Sequence, residues 1–149
     1  MEIAILALGC FWGPEEKFSK VQGIINTEVG YCGGNTNPTT YEEVCTGSTN
    51  HAEVVKIEFD EKIIKYENLL EKFFEMHDPT TLNRQGPDIG TQYRSEIFFT
   101  NNYQKEIAEK IKSRFNLKYN GKIITKISGE KNYCKAEEYH QKYIEKNRQ

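Results

Sequence analysis

The sequence predicts an α+β protein with a ferredoxin-like, split βαβ core: a mostly antiparallel sheet packed with helices, plus an extra C-terminal helix. Three observations lead there. Apolar or alternating stretches of strand length recur at 3–8, 24–29, 55–59 and 95–100. A helix opened by Gly13-Pro14 separates the first strand from the second, and a segment with apolar residues at helical spacing separates the third from the fourth. The resulting order, strand-helix-strand-strand-helix-strand, is that of the split βαβ unit. No internal repeat, linker or low-complexity stretch interrupts the 149 residues, so 1–149 reads as one domain.

The first strand, 3–8, is a continuous apolar run that Gly9 breaks. Gly13-Pro14 then opens a helix to about Lys20, with Pro in the first turn and Glu15 and Glu16 behind it. Gly23 ends the helix and 24–29 forms the second strand, while 30–40, rich in Gly, Asn, Thr and Pro, reads as loop. Val55, Ile57 and Phe59 alternate with polar partners as a third strand. Leu69, Leu70, Phe73 and Phe74 give 66–77 an amphipathic helix. The stretch 78–94 has no period and contains two Pro and two Gly, and a loop that long in a compact domain is usually functional. A fourth strand at 95–100 leads to Asn101 or Asn102, either able to cap a helix with Ile107, Ile111 and Phe115 on one face. Ile123, Thr125 and Ile127 alternate as a fifth strand. Residues 136–146 close the chain as a helix, with Tyr139 and Tyr143 one turn apart.

Composition narrows the function. A net charge of −2 gives no basic footprint for nucleic acid. No stretch approaches the ~20 apolar residues of a membrane span. The 3–8 run lacks preceding Lys or Arg and carries Glu2, so it reads as a buried strand rather than a targeting segment. Cys10, Cys32, Cys45 and Cys134 are too sparse for a disulfide scaffold and include no C-x-x-C pair for zinc. His51, His77 and His140 show no ligand spacing and read as structural or loop-anchoring. The expectation is a monomeric cytoplasmic protein with reduced thiols, at least one of them reactive, and no metal.

Cys10 is the sharpest feature. It follows a buried strand where a helix begins, a position in which free N–H groups and the helix dipole stabilise an anion and a thiol commonly has a lowered pKa. On turn geometry alone a nucleophile and a small buried apolar residue are equally good readings. Phe11 and Trp12, two large aromatics awkward to bury on one small helix, favour an apolar pocket beside the sulfur.

Gly9-Cys10-Phe11-Trp12-Gly13 resembles the signature of the A-type peptide methionine sulfoxide reductases. The likeness continues at Gly30-Tyr31-Cys32-Gly33-Gly34, Tyr41-Glu42-Glu43-Val44-Cys45, His51-Ala52-Glu53-Val54-Val55 and His77-Asp78-Pro79-Thr80. It runs on through the stretch from Gln85 to Ser95 and closes at Ala136-Glu137-Glu138-Tyr139-His140-Gln141. These blocks span nearly the whole chain. The resemblance implies reduction of the S epimer of methionine sulfoxide, free or in oxidised proteins, in the service of protein repair. Cys10 would attack the sulfoxide sulfur, Phe11 and Trp12 would hold the methyl group, and Glu53 would protonate the departing oxygen. Tyr41 and Tyr93 would donate hydrogen bonds to that oxygen, with Asp88 in support. The chemistry is coherent: a sulfoxide oxygen leaves poorly unless protonated, and a carboxyl raised by burial can supply the proton near neutral pH. Oxygen loss to Cys10 leaves a sulfenic acid that a second thiol must reduce.

The chain resembles a short form without the glycine-rich C-terminal tail in which many relatives carry resolving cysteines. The resemblance implies no bound cofactor and an external thiol reductant, thioredoxin or glutaredoxin. Regeneration then falls to that thiol directly or to one of Cys32 (in a glycine loop able to move), Cys134 (ahead of the final helix) and Cys45 (in a block where the family often has a cysteine). Asn50 stands where the family usually has Gly, and Asn tolerates left-handed backbone. A thiol peroxidase, or a non-catalytic sensor of oxidised methionine, are the competing readings. Neither needs Glu53 as an acid.

Overall fold

A computed structural model of the chain describes residues 2–36 and 39–147. Its elements are β1 (Glu2–Leu8), α1 (Trp12–Ser19), β2 (Ile24–Cys32), α2 (Tyr41–Cys45), β3 (Ala52–Phe59), α3 (Tyr66–Met76), β4 (Arg84–Gln85), β5 (Asp88–Ile89), β6 (Ser95–Phe99), α4 (Asn102–Lys118), β7 (Lys126–Gly129), β8 (Cys134–Lys135) and α5 (Tyr143–Lys146). The six-stranded sheet runs β7-β6-β1-β3-β2-β8. Its central four strands, β6-β1-β3-β2, are antiparallel neighbours and carry the split βαβ order. β7 pairs parallel to β6 and β8 antiparallel to β2.

Strand alternation sorts the side chains into two layers. Ala4, Leu6, Leu8, Val29, Val55, Ile57 and Phe59 face the helices. There they meet Phe18 of α1, Leu69, Leu70, Phe73 and Phe74 of α3, and Ala108, Ile111 and Phe115 of α4. Emptying one of these buried aliphatic or aromatic sites to Ala costs about 2–5 kcal/mol. The opposite face holds a smaller cluster of Ile5, Ala7, Cys32, Ala52, Val54 and Phe98, with Tyr133 packed against it. No helix among the described residues is long and apolar enough to cross a membrane.

Several expectations at the level of elements are corrected. β2 runs on through Gly30 to Cys32, where a loop is predicted. Tyr31 and Cys32 pair with Glu53 and Ala52, and a Cβ on Gly30 would lie 2.6 Å from the Cys134 carbonyl oxygen. The glycine is there because another chain segment lies on it, not because the chain turns. The single turn α2 falls where no element is predicted; Thr40 caps it by accepting the Glu43 N–H. The 78–94 stretch folds into the β4–β5 hairpin and a 3₁₀ turn at Thr91–Tyr93. Ile123 and Thr125 are buried but precede β7 rather than forming it.

The C-terminal helix is confined to Tyr143–Lys146, with a 3₁₀ turn at Glu138–His140 ahead of it. Lys142 between them is left-handed, with φ 50°. The interruption is enforced by polar anchors. The Gln141 side chain accepts from the Val29 N–H and donates to the Val29 and Ala136 carbonyls. The Lys142 N–H donates to Glu15 Oε1 at 2.7 Å.

Candidate active site

The topology brings one end of the sheet to a focus. β1 leaves the sheet at Leu8, and β2 ends shortly after Tyr31. β3 enters at Ala52 opposite Cys32, and β6 enters at Ser95 opposite Leu8. Residues one or two positions beyond these ends therefore converge: Cys10 after β1, Glu53 at the start of β3 and Tyr93 just ahead of β6.

Gly9, with φ 101°, turns the chain out of β1 in a conformation open to glycine, and the Gln85 side chain packs on it where a Cβ would stand. Cys10 follows, half-buried, and receives the Trp12 backbone N–H. The next N–H, of Phe11, donates to Glu53 Oε1 at 3.3 Å. Glu53 is 1% exposed, and its other oxygen, Oε2, is buried with no hydrogen-bond partner.

Electrostatics places the remaining groups around this pair. Burial, opposed by the Phe11 N–H and reinforced by the Asp88 charge, pushes Glu53 up to about 8. Burial also pushes the Cys10 thiol up to about 11, with the charges of Glu53 and Asp88 adding to it. The expectation of a lowered thiol pKa is therefore wrong for the resting site. The Trp12 N–H at the helix start does favour the thiolate, but desolvation and two neighbouring carboxyls outweigh it. The hydroxyls of Tyr41 and Tyr93 interact with each other and lie in the field of Glu53; both phenols are held in the protonated form by burial first. At neutral pH Glu53, Cys10, Tyr41 and Tyr93 all carry protons.

An aromatic wall lies beside this group. Phe11 is buried against Tyr31 and His140, with ring centroids 5.8 and 5.2 Å apart. Trp12 is half-buried, stacks on Tyr143 at 3.8 Å and donates its indole N–H to His140 Nδ1 at 3.1 Å. That bond fixes the neutral tautomer with the proton on Nε2, and burial lowers the His140 pKa in the same sense. The His140 ring also meets Tyr41 at 4.5 Å and Tyr139 at 4.2 Å. Glu137 ties the wall to the sheet, accepting from the Tyr31 hydroxyl at 2.8 Å and the Tyr41 N–H at 2.9 Å.

Cys10, Phe11, Trp12, Tyr41, Glu53, Asp88 and Tyr93 thus come together from four chain segments: 10–12, 41, 53 and the 88–93 loop. Tyr31, Glu137 and His140 belong to the same cluster, although the sequence assigns them no chemical part. Their only signal is membership of the family-like blocks. His140 does anchor, as expected, but what it anchors is the pocket wall. His77 anchors too, bonding Phe73 O at 2.6 Å and Ser95 Oγ at 2.7 Å beneath the loop that presents Asp88 and Tyr93. His51 is buried ahead of Glu53, its ring filling the space that a Cβ on Gly34 would need. Asn50 adopts φ 58°, the left-handed geometry expected of it.

The other three cysteines differ sharply. Cys32 is not in a mobile loop: it is the last residue of β2, 0% exposed, with its thiol on the Lys131 carbonyl. Cys134 sits in β8, half-buried, against the carbonyls of Thr39 and Lys135. Cys45 is exposed at the end of α2, beside the Tyr41 hydroxyl.

Comparisons with known proteins agree on one family. The family model described as peptide methionine sulfoxide reductase matches residues 2–149. A Pelagibacter ubique protein named peptide methionine sulfoxide reductase MsrA is 67% identical, over 98% of this chain and 99% of its own length. The crystal structure of Mxr1 from Saccharomyces cerevisiae in reduced form superposes with a TM-score of 0.94 at 42% identity, covering 99% of this chain and 86% of that one. The same yeast protein in complex with Trx2 matches at a TM-score of 0.69 and 29% identity, over 95% of this chain and 84% of that one.

Proposed function

Given that the chain belongs to the peptide methionine sulfoxide reductase family and is therefore an oxidoreductase acting on methionine sulfoxide, we propose that 1–149 works as one catalytic domain in which Cys10 is the nucleophile and Glu53 the proton donor. The observation that carries this reading is Glu53 itself. It is a buried carboxyl, raised to about 8, with one oxygen unpartnered and its other oxygen joined to the residue after Cys10.

Such a group holds a proton at neutral pH and has an open position for a polar atom of the substrate. The sulfoxide oxygen fits that position, with the hydroxyls of Tyr41 and Tyr93 able to share the charge that builds on it. Phe11 and Trp12 supply apolar surface for the methyl group. Asp88 acts through its charge, which helps keep Glu53 protonated. The Cys10 sulfur attacks the sulfoxide sulfur as the Glu53 proton passes to the oxygen. Methionine leaves, the oxygen stays on Cys10 as a sulfenic acid, and the thiol proton replaces the one Glu53 gave up. The thiol gives up its proton to Glu53 only as Glu53 passes its own to the sulfoxide, so a resting pKa of about 11 suits a site that reacts only once substrate is bound.

The S epimer is the form that the family resemblance implies for the substrate. A dithiol protein of the thioredoxin type is the proposed reductant, supported by the yeast relative's capture with Trx2. Turnover of the two epimers of methionine sulfoxide with dithiothreitol tests the reading. Methionine is expected from the S epimer only, and Cys10→Ser should form none. Equal rates with both epimers, or activity persisting in Cys10→Ser, would overturn it.

A further inference from the structure

Arg94 is buried, yet its guanidinium lies behind the site rather than in it. It sits on the far face of the sheet beside Phe98: a Cβ on Gly33 would lie 2.7 Å from the Phe98 ring and 3.0 Å from Arg94 Nη2. All three side-chain nitrogens are used. Nε donates to Glu96 Oε1 at 2.6 Å, Nη1 to the Thr91 carbonyl at 2.9 Å and Nη2 to the Asn50 carbonyl at 3.1 Å. Thr91 opens the 3₁₀ turn that carries Tyr93, and Asn50 is the left-handed residue from which the chain turns into β3 and Glu53. We propose that Arg94 is a positioning residue: by clamping the Thr91 and Asn50 carbonyls it sets the Tyr93 hydroxyl against Glu53, where the phenol can share the oxygen that Glu53 protonates. The inference rests on the parts given to Glu53 and Tyr93 above.

The clamp needs a guanidinium. Its rigid fork aims donors at two carbonyls while the third nitrogen holds a carboxylate. Glu96 is itself buried, so the positive charge is balanced inside the protein. A lysine ammonium could keep the pair with Glu96, but as a single point on a flexible stem it could not hold both carbonyls in fixed directions.

Of the two segments that the clamp joins, the Tyr93 turn is the one free to shift. β3 lies between β1 and β2 and is held by both ladders. The turn has no such frame: the Gly90 N–H donates to Asn83, the Tyr93 N–H to Gly90 and the Arg94 N–H to Thr91, all within the loop itself. The Nη2 bond to Asn50 crosses from that loop to the start of β3. Without it the turn moves and carries Tyr93 with it, and a misplacement of about 1 Å can cost a rate on the order of 10²-fold. Burial, the Phe11 N–H and Asp88 set the Glu53 pKa, not the Arg94 charge. Arg94 therefore acts by position.

The test is a double-mutant cycle on kcat/KM with S-methionine sulfoxide and dithiothreitol. Arg94→Lys, which keeps the charge and loses the fork, should lower kcat/KM by about 10–100-fold in the otherwise wild-type protein. In Tyr93→Phe, where no hydroxyl is left to position, the same substitution should cost about threefold or less. A general loosening of the fold would instead cost the same in both backgrounds. It would also expose the half-buried Cys10, whose iodoacetamide rate should stay within about twofold of wild type if only the turn shifts. Equal losses in the two backgrounds, full activity of Arg94→Lys, or faster Cys10 alkylation alongside the loss overturns the positioning role. Should Arg94→Lys not fold, Arg94→Gln combined with Glu96→Gln leaves no buried charge unpaired and goes through the same cycle with the same expectation. Tyr93→Phe as active as wild type would overturn the part given to Tyr93 beneath the inference.

Discussion

Two carboxyls lie about equally deep in this protein in opposite surroundings. Glu15 is 2% exposed and Glu53 1%. Glu15 accepts from the Thr27 hydroxyl at 2.9 Å and the Lys142 N–H at 2.7 Å, and faces the Lys142 ammonium at 3.7 Å. Glu53 accepts one longer backbone N–H bond, leaves an oxygen unpartnered and has Asp88 for a charged neighbour. A buried carboxylate with donors and a counter-ion fastens one segment to another; one starved of them keeps its proton and can give it away. Depth alone separates neither role. The partners do.

The largest test of that contrast is Glu53→Gln. Removing the proposed proton donor should lower kcat/KM by about 10²–10⁴-fold, measured with S-methionine sulfoxide and dithiothreitol, without loss of folded protein. Its stability should move the other way. The folded-state pKa of Glu53 is above its unfolded value, so the folded protein binds the extra proton between about pH 4.5 and 8 and loses stability as pH rises through that window. Glu53→Gln should therefore be more resistant to denaturant than wild type above about pH 8. A variant that is equally active, or less stable at alkaline pH, would erase the distinction between the two carboxyls.

Glu15→Ala should behave in reverse. It leaves the Lys142 N–H and the Thr27 hydroxyl without their acceptor, at about 1–3 kcal/mol of stability, read as a lowered urea midpoint. Its effect on kcat/KM should be the smaller one, reflecting only looser seating of the segment that carries His140. A catalytic loss matching that of Glu53→Gln, with stability intact, would mean that Glu15 is not the fastening group.

The mildest effect concerns Cys10. A thiol at about 11 should be alkylated slowly by iodoacetamide near pH 7, with a rate that climbs steadily toward pH 11. Glu53→Gln removes one of the two carboxyls that raise it, so its alkylation curve should shift to lower pH. An unshifted curve would leave burial alone as the cause.

Much of this was legible in the sequence. Strand and helix periods place β1, β3, α3, β6 and α4, because alternation and helical spacing are written locally in which side chains must be buried, and Gly13-Pro14 marks the start of α1. The family-like blocks name Cys10, Phe11, Trp12, Tyr41, Glu53, Asp88 and Tyr93. What local pattern misreads are the places where distant chain meets. Gly30 looks like a loop glycine and is a strand residue under Cys134. The 136–146 stretch has helical spacing, yet it is broken at Lys142 by bonds to Glu15 and Val29. Cys10 sits at a helix start that should favour a thiolate, yet it is desolvated beside Glu53 and Asp88. The sequence by itself determines the sequential order of strands and helices, which follows from apolar spacing, and its resemblance to a family names the candidate site residues. Only the tertiary structure decides which buried carboxyl is fastened by donors and which is left with an unpartnered oxygen. Those depend on desolvation and on partners that lie far apart along the chain.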